Sequence, residues 1–138
     1  MGQIPSDMKT FNESLIREVR ANKGKVVSGP MAGREPMLLT TTGAKSGVPR
    51  TVVIGFRTDG DSYLAIASNN GSDLAPLWYG NLLRDPIVTI EVGTERFQAR
   101  ATTASAEERP RLAAKIDYLE RQQALTSREI PIVIFERV

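Results

Sequence analysis

The order of apolar and polar positions divides the chain into short segments with two different periodicities. Residues 10–23 carry apolar side chains at helical spacing before Gly24, which predicts an amphipathic helix. Glycine and proline recur through residues 25–36, which we expect to be irregular. Runs of β-branched and apolar residues then predict five or six strands, at Met37–Thr42, Thr51–Arg57, Ser62–Ser68, Ile87–Val92, Arg96–Thr103 and Ile132–Phe135.

Turn signals connect several of these strands and place helices between the others. Asp59-Gly60 is a strong hairpin signal, and a second hairpin is expected across Gly93. Leu77–Leu83 is predicted to form one or two helical turns that end at Asp85-Pro86. Ser105–Gln122 is also predicted to be helical, either from a capping box at its start or from Arg109 with a proline at the first position.

These elements predict one α+β domain over residues 1–138, in which residues 1–36 form an N-terminal helix and an irregular lead-in. About six mostly antiparallel strands with flanking helices suggest a small barrel-like sheet. Such a barrel leaves an open edge, where a second copy of the chain often packs. A homodimer is therefore expected.

Composition limits the chemistry that the chain can perform without help. The 138 residues include no cysteine and no histidine, which excludes disulfides, thiolate nucleophiles, His-based triads and zinc sites with Cys or His ligands. The net charge of +2 is too small to indicate nucleic-acid binding. No apolar run is long enough for a transmembrane helix, so we expect a cytoplasmic protein that relies on a cofactor and holds no metal.

The segment between the first two predicted strands, residues 40–50, combines groups suited to binding an anion. It contains two glycines, several hydroxyl side chains and the cations Lys45 and Arg50. Glycines allow backbone N–H groups to approach a ligand, hydroxyls donate hydrogen bonds and cations supply charge, which together suit a phosphate. The spacing does not match a Walker A motif. A loop that is polar only because it is exposed explains the same residues, so both interpretations stay open.

The polar loop Ala67–Gly71 and the aromatic pair Trp78-Tyr79 form a second candidate site. Aromatic rings cover flat heterocycles in many ligand sites, while N–H groups of a nearby loop bind the edge of the ligand. Alternatively, Trp78 packs in the core beneath the short predicted helix.

In this order, the two segments resemble the deazaflavin-dependent nitroreductase family, whose members are coenzyme F-420-dependent reductases with a split β-barrel fold. The similarity covers roughly residues 37–138 and is carried by Leu38–Gly43, Lys45–Gly47, Pro49-Arg50, Asp59-Gly60, Ala67-Ser68, Gly71, Pro76–Tyr79, Asn81-Leu82, Pro86, Thr126, Arg128 and Ile130–Ile134. The resemblance implies a split β-barrel like that of flavin reductases and pyridoxamine oxidases. The same barrel elsewhere binds flavin mononucleotide, so the fold alone does not select the cofactor.

By this resemblance, Lys45 and Arg50 would hold the phosphate and acidic tail of coenzyme F-420, and the loop around Ser68–Gly71 with Trp78 would receive its deazaflavin ring. The cofactor residues implied are Lys45, Ser46, Gly47, Pro49, Arg50, Ala67, Ser68, Asn69, Asn70, Gly71, Trp78, Tyr79 and Asn81. The coenzyme would deliver a hydride from its C5 to a quinone, a nitroaromatic or another activated double bond. The protein then needs only to bind, orient and exclude water. A serine or tyrosine hydroxyl, or a water molecule, would supply the proton.

Three residues are implied to face the acceptor. Gly55 and Gln122 fall where members of the family often have tyrosines, which predicts a wider acceptor pocket here. Tyr118, one helical turn before Gln122, either compensates for the missing rings or only packs.

The expected function is therefore reduction of a small-molecule acceptor by reduced F-420, with peripheral membrane contact if that acceptor is a lipid quinone. Two alternatives stay open: a flavin mononucleotide-binding oxidoreductase on the same barrel, and a non-catalytic carrier of a flat ligand.

Overall fold

The computed structural model of the chain describes residues 13–27, 29, 32–69 and 71–138. Within these residues the chain forms four helices and seven strands. In order they are α1 (13–21), β1 (Met37–Thr42), β2 (Pro49–Ile54), β3 (Arg57–Asp59), β4 (Ser62–Ile66), α2 (Leu77–Arg84), β5 (Ile87–Val92), β6 (Glu95–Thr103), α3 (Arg109–Ala113), α4 (Leu119–Gln123) and β7 (Ile132–Arg137).

The seven strands form one antiparallel sheet in the order β2-β1-β5-β6-β7-β4-β3, whose two edge strands are consecutive in the chain. β2 pairs with β1 at one edge and β3 pairs with β4 at the other, and only Gly55 and Phe56 separate them. The predicted single strand Thr51–Arg57 is therefore wrong in its extent, because the chain must bend at Gly55 to pass from one edge to the other. The bend divides this strand and brings the described total to seven.

The strand directions place most connecting segments at one end of the barrel. Because every neighbouring pair is antiparallel, β1, β4 and β6 run in one direction and the other four strands run in the opposite direction. The β1–β2 loop (residues 43–48), the β4–α2 loop (residues 67–76), α2 and the segment with α3 and α4 therefore share one end. We call it the loop end.

The sheet curls around the main core, and a second core lies beneath α3 and α4. The largest buried residues of the main core are Met37, Leu39, Trp78, Leu82, Ile90 and Phe135. The second core contains Leu64, Ile66, Leu112, Ile116, Leu119, Ile130 and Ile132. Burial of each such side chain stabilises the fold by roughly 1.5–3 kcal/mol, so these two clusters fix the positions of the helices at the loop end.

The predicted helix Ser105–Gln122 is wrong in its continuity, because it forms two short helices with a break after Ala113. The capping box is present: the Ser105 N–H donates to Glu108 Oε1 at 2.9 Å, and the Glu108 N–H donates to Ser105 Oγ at 3.3 Å. The break lies around Ile116, which is 2% exposed in the second core. Tertiary packing thus overrides local helix propensity at this point.

The remaining elements follow the sequence closely. The strands β1 and β5 have the predicted bounds, and both predicted hairpins are confirmed, with left-handed glycines at their turns. The described part of the N-terminal helix covers residues 13–21, and the irregular segment contains neither helix nor strand at its described positions. The start of the predicted helix, residues 10–12, lies outside the described residues.

Candidate functional site

The β1–β2 loop is closed by its own backbone and fastened to α2 by one side chain. The Gly43 N–H donates to the Val48 carbonyl at 2.9 Å, and the Gly47 N–H donates to the Gly43 carbonyl at 2.8 Å. Asn81 of α2 accepts the Ala44 N–H at 3.0 Å and donates to the buried Thr41 hydroxyl. Several N–H groups that the sequence suggested for a ligand are therefore used within the protein. An anion would depend mainly on side-chain charges.

An open cleft of about 430 Å³ lies between this loop and the end of α2. Its lining residues are Thr42, Gly43, Ala44, Gly47, Arg84 and Asp85. Lys45 and Arg50 are exposed on the same hairpin, while Arg84 is exposed in the last turn of α2. Within the described ranges none of these three cations forms an ion pair. Sequence reasoning missed Arg84, although its place before Asp85-Pro86 marked it as the end of a helix.

The β4–α2 loop is held by the guanidinium of Arg128, which lies more than fifty residues later in the chain. Nε donates to the Ser72 carbonyl at 2.9 Å, and Nη2 donates to the carbonyls of Ala67 at 2.9 Å and Ser68 at 3.0 Å. A longer bond of 3.4 Å joins Nη2 to the Leu74 carbonyl. The sequence singled out Arg128 only as part of a motif and gave no sign of this role.

Gly71 lies where the β4–α2 loop presses on the α4–β7 connection (residues 124–131). Its φ of +77° is in the left-handed region, and a Cβ built there would lie 2.8 Å from Cβ of Leu125. A second bond joins the same segments, because the Thr126 hydroxyl donates to Asp73 Oδ1 at 2.6 Å. The loop is thus shaped by the segment that precedes β7.

The aromatic pair of the second candidate site divides between the core and the surface. Trp78 is 8% exposed and packs in the main core, as the alternative interpretation of the sequence expected. Tyr79 is half-buried, and its hydroxyl lies 2.8 Å from the Thr103 hydroxyl. Ser68 is buried, Asn69 is exposed, and Asn70 lies outside the described residues. Of the predicted hairpin residues, Ser46 bonds to the Val48 N–H and Pro49 begins β2.

The residues predicted to face an acceptor include two buried polar atoms that lack partners. Among the described residues, neither the Tyr118 hydroxyl nor Gln122 Oε1 has a hydrogen-bond partner. A Cβ built on Gly55 would lie 3.7 Å from the Tyr118 hydroxyl, so these two residues are neighbours. Unpartnered buried polar atoms are rare in folded proteins and suit a ligand.

Arg57 and Asp117 surround the ring of Tyr118. The Arg57 guanidinium carbon lies 4.7 Å from the ring centroid, and Arg57 Nη2 lies 2.8 Å from Asp117 Oδ1. Burial raises the pKa of the Tyr118 hydroxyl, while the charge of Arg57 opposes part of that shift. The hydroxyl is therefore protonated at neutral pH and able to donate a hydrogen bond.

Comparison with known proteins decides the family. The F420H(2)-dependent quinone reductase family matches residues 13–137. The chain belongs to this family. Its relative in Mycobacterium tuberculosis, the F420H(2)-dependent quinone reductase Rv1261c, is 34% identical over 126 residues, which is 86% of this chain and 84% of the relative.

Solved structures agree in fold. The F420-H2 dependent reductase FDR-A is 31% identical with a TM-score of 0.66, over 75% of this chain and 95% of that chain. A structure described as a domain-swapped dimer is 28% identical with a TM-score of 0.68, over 96% and 99%. A Listeria innocua protein described as a pyridoxamine 5′-phosphate oxidase shares only the fold, at 14% identity and a TM-score of 0.56, over 75% and 84%.

These findings confirm the family, the split β-barrel and the enzyme class predicted from the sequence. The protein is an oxidoreductase of the F-420-dependent quinone reductase family, and coenzyme F-420 is its cofactor. In the described part of the chain, no helix has the length and apolar character needed to cross a bilayer. The roles of individual site residues stay predictions.

Proposed function

We propose that this enzyme holds the phosphate and acidic tail of F-420 with Lys45, Arg50 and Arg84, and its ring on the β4–α2 loop. The acceptor then lies against Gly55, Tyr118 and Gln122. The observation that carries this proposal is the presence of three exposed cations on the β1–β2 hairpin and the end of α2, the two elements that border the cleft, none of them paired with a described carboxylate.

The described residues fit coenzyme F-420 in three respects. The unpaired cations match an anionic tail, because charge-assisted hydrogen bonds to phosphate are among the strongest that side chains make. The β4–α2 loop lies at the same end of the barrel and is held in one shape by Arg128. Gly47 lines the cleft, and a Cβ there would meet nothing within 4 Å, so the loop leaves room beside its cations.

When bound, the reduced coenzyme supplies the hydride. The chain itself binds both partners, keeps them together and excludes water. For a quinone acceptor, the protonated Tyr118 hydroxyl donates a hydrogen bond to the carbonyl oxygen and so places a proton where reduction adds negative charge. Gln122 Oε1 then accepts the hydroxyl of the hydroquinone product.

Titration of the purified protein with F-420, in parallel with flavin mononucleotide, tests the proposal. We expect binding of F-420 and turnover of a soluble quinone by the reduced coenzyme. Micromolar binding of flavin mononucleotide without binding of F-420 would contradict it. Parallel assays with quinones and nitroaromatics would identify the acceptor class.

We also propose contact with an anionic membrane surface, where lipid quinones are found. Three leucines at the loop end are strongly exposed: Leu74 by 75%, Leu77 by 89% and Leu125 by 66%. Exposed leucines at the same end of a protein as exposed cations suit the interface of an anionic bilayer. Sedimentation with phosphatidylglycerol vesicles should carry the protein down, and a Leu74→Ser, Leu77→Ser variant should stay in solution. Equal recovery with neutral phosphatidylcholine vesicles would contradict a role for the cations.

A homodimer in the cytoplasm completes the proposal. The domain-swapped dimer that resembles this chain over 96% of its length supports dimer formation. Sedimentation equilibrium should give twice the mass of one chain, 15.1 kDa, and a single-chain mass would contradict the dimer. Cell fractionation tests the location.

A further inference from the structure

The side chain of Arg128 contacts four backbone carbonyls of one loop. Its guanidinium accepts no hydrogen bond and offers donors in a fixed plane. Here these donors reach the carbonyls of Ala67, Ser68, Ser72 and Leu74, all in the β4–α2 loop. The carbonyl face of this loop is therefore turned toward the α4–β7 connection.

Peptide geometry determines what the opposite face presents. In a planar trans peptide, the carbonyl of one residue and the N–H of the next point in opposite directions. Since the carbonyls of Ala67 and Ser68 point at Arg128, the N–H groups of Ser68 and Asn69 point away from it. Neither of these two N–H groups donates to another described residue. Among the described residues, they form an adjacent pair of donors without a partner.

We propose that Arg128 is a positioning residue that presents the Ser68 and Asn69 N–H groups to the edge of the deazaflavin ring. This inference rests on the proposed function, because it assumes that the ring lies on the β4–α2 loop. A flat heterocycle with carbonyl groups along its edge accepts hydrogen bonds in its own plane, which suits two adjacent backbone donors. Arg128 contacts the carbonyl side and does not touch the ring.

Local interactions and Arg128 together hold the loop in this shape. Asn69 has a positive φ of 48°, which costs free energy for a residue with a side chain. The Asn69 side chain forms only one hydrogen bond with a described residue, in which Nδ2 donates to the Leu74 carbonyl at 3.1 Å. The loop also has local backbone bonds, from the Gly71 N–H to the Ser68 carbonyl at 3.0 Å and from the Ser72 N–H to the Asn69 carbonyl at 3.1 Å. Arg128 adds bonds to four loop carbonyls from outside the loop.

Binding of the phosphate-free headgroup, 8-hydroxy-5-deazaflavin with its ribityl chain, tests the inference in three proteins. They are the parent, Arg128→Lys and the matched control Arg109→Ala, which loses a 2.7 Å bond to the Ile130 carbonyl without touching the loop. We expect Arg128→Lys to weaken headgroup and full coenzyme alike, by about tenfold, because lysine cannot reproduce the planar set of donors. Arg109→Ala should bind both as the parent does, even if it melts at a lower temperature.

A kinetic split separates positioning from general loss of structure. In Arg128→Lys the KM for the coenzyme should rise, while the KM for the quinone should stay near the parent value. Headgroup affinity within twofold of the parent in folded Arg128→Lys would overturn the inference but leave the proposed function intact. Failure of the parent to bind F-420 would overturn both.

A measurement on the parent alone keeps the test independent of variant folding. Addition of headgroup should slow hydrogen exchange at the Ser68 and Asn69 N–H groups, and should not slow it at Ala104, whose N–H already donates to the Ile132 carbonyl. Unchanged exchange at both loop positions under saturating headgroup would overturn the inference.

Discussion

The two loops that form the candidate site lie at the same end of the barrel but are built in opposite ways. The β1–β2 loop closes on its own backbone and exposes charged side chains. The β4–α2 loop is shaped by Arg128 and Thr126 from a distant part of the chain and offers backbone groups. One loop is suited to holding charge and the other to holding a flat ring. Substitutions should therefore affect the two loops differently.

The sharpest contrast is between two left-handed glycines, one in each loop. A Cβ on Gly71 would lie 2.8 Å from Cβ of Leu125 and 3.2 Å from the Gln122 carbonyl oxygen, whereas a Cβ on Gly47 would meet nothing within 4 Å. We expect Gly71→Ala to lower the free energy of unfolding by about 2–4 kcal/mol, from backbone strain and steric overlap. Gly47→Ala should cost about 1 kcal/mol, from strain alone. Denaturant unfolding measures both, and equal losses would contradict the contrast.

Removal of the link between the β1–β2 loop and α2 should have the next largest effect. Asn81→Ala leaves the Ala44 N–H and the buried Thr41 hydroxyl without partners, so we expect a loss of about 1–3 kcal/mol in unfolding free energy. In Asn81→Asp, the carboxylate accepts the Ala44 N–H as Asn81 does, and the Thr41 hydroxyl reverses its role and donates to the carboxylate, so the fold should be preserved. Its added negative charge should nevertheless weaken binding of F-420. Tight coenzyme binding by stable Asn81→Asp would argue against an anion in this cleft.

Tyr118→Phe should affect the acceptor and spare the fold. The Tyr118 hydroxyl has no described partner, so its removal should leave the melting temperature unchanged or slightly higher. Loss of one hydrogen bond to the acceptor should lower kcat/KM for the quinone by about two- to tenfold. Tyr63→Phe, which alters a tyrosine paired with Phe56 and Phe97, is the control. A lower melting temperature with unchanged kcat/KM would assign Tyr118 to packing.

The smallest expected effect is the pH dependence of stability that comes from the Tyr118 hydroxyl. Burial raises the pKa of Tyr118 above its ordinary value of 10.0. The folded state therefore binds this proton more tightly than the unfolded state, and the resulting stability is present below pH 10 and lost as the pH rises through the folded-state pKa. The midpoint of the tyrosinate absorbance difference between parent and Tyr118→Phe should lie above pH 10. A midpoint at or below pH 10 would contradict the shift.

Local patterns in the sequence were sufficient for most of the elements but not for their breaks. Hairpin signals at Asp59-Gly60 and Gly93 depend on neighbouring residues, and both predicted turns are confirmed. The bend at Gly55 and the break around Ile116 depend on sheet edges and on the second core, which residues far apart in sequence create together. Such tertiary causes are absent from a local pattern.

The same distinction applies to the candidate site. The sequence was sufficient to predict the charges of Lys45 and Arg50, because an exposed charged side chain needs no partner from elsewhere in the chain to present its charge. Arg84 was missed because only the fold brings the end of α2 to the cleft. The role of Arg128 was missed because its partners are backbone carbonyls, which every residue has.

The central claim is that charge is held by one loop and the ring by the other. It is tested most directly by titrating Lys45→Ala and Arg50→Ala with full F-420 and with the phosphate-free headgroup. We predict that each substitution weakens binding of the full coenzyme by about 10- to 150-fold and leaves headgroup affinity and melting temperature near the parent values. Full coenzyme bound as tightly as by the parent, or both ligands weakened to the same extent, would contradict the account.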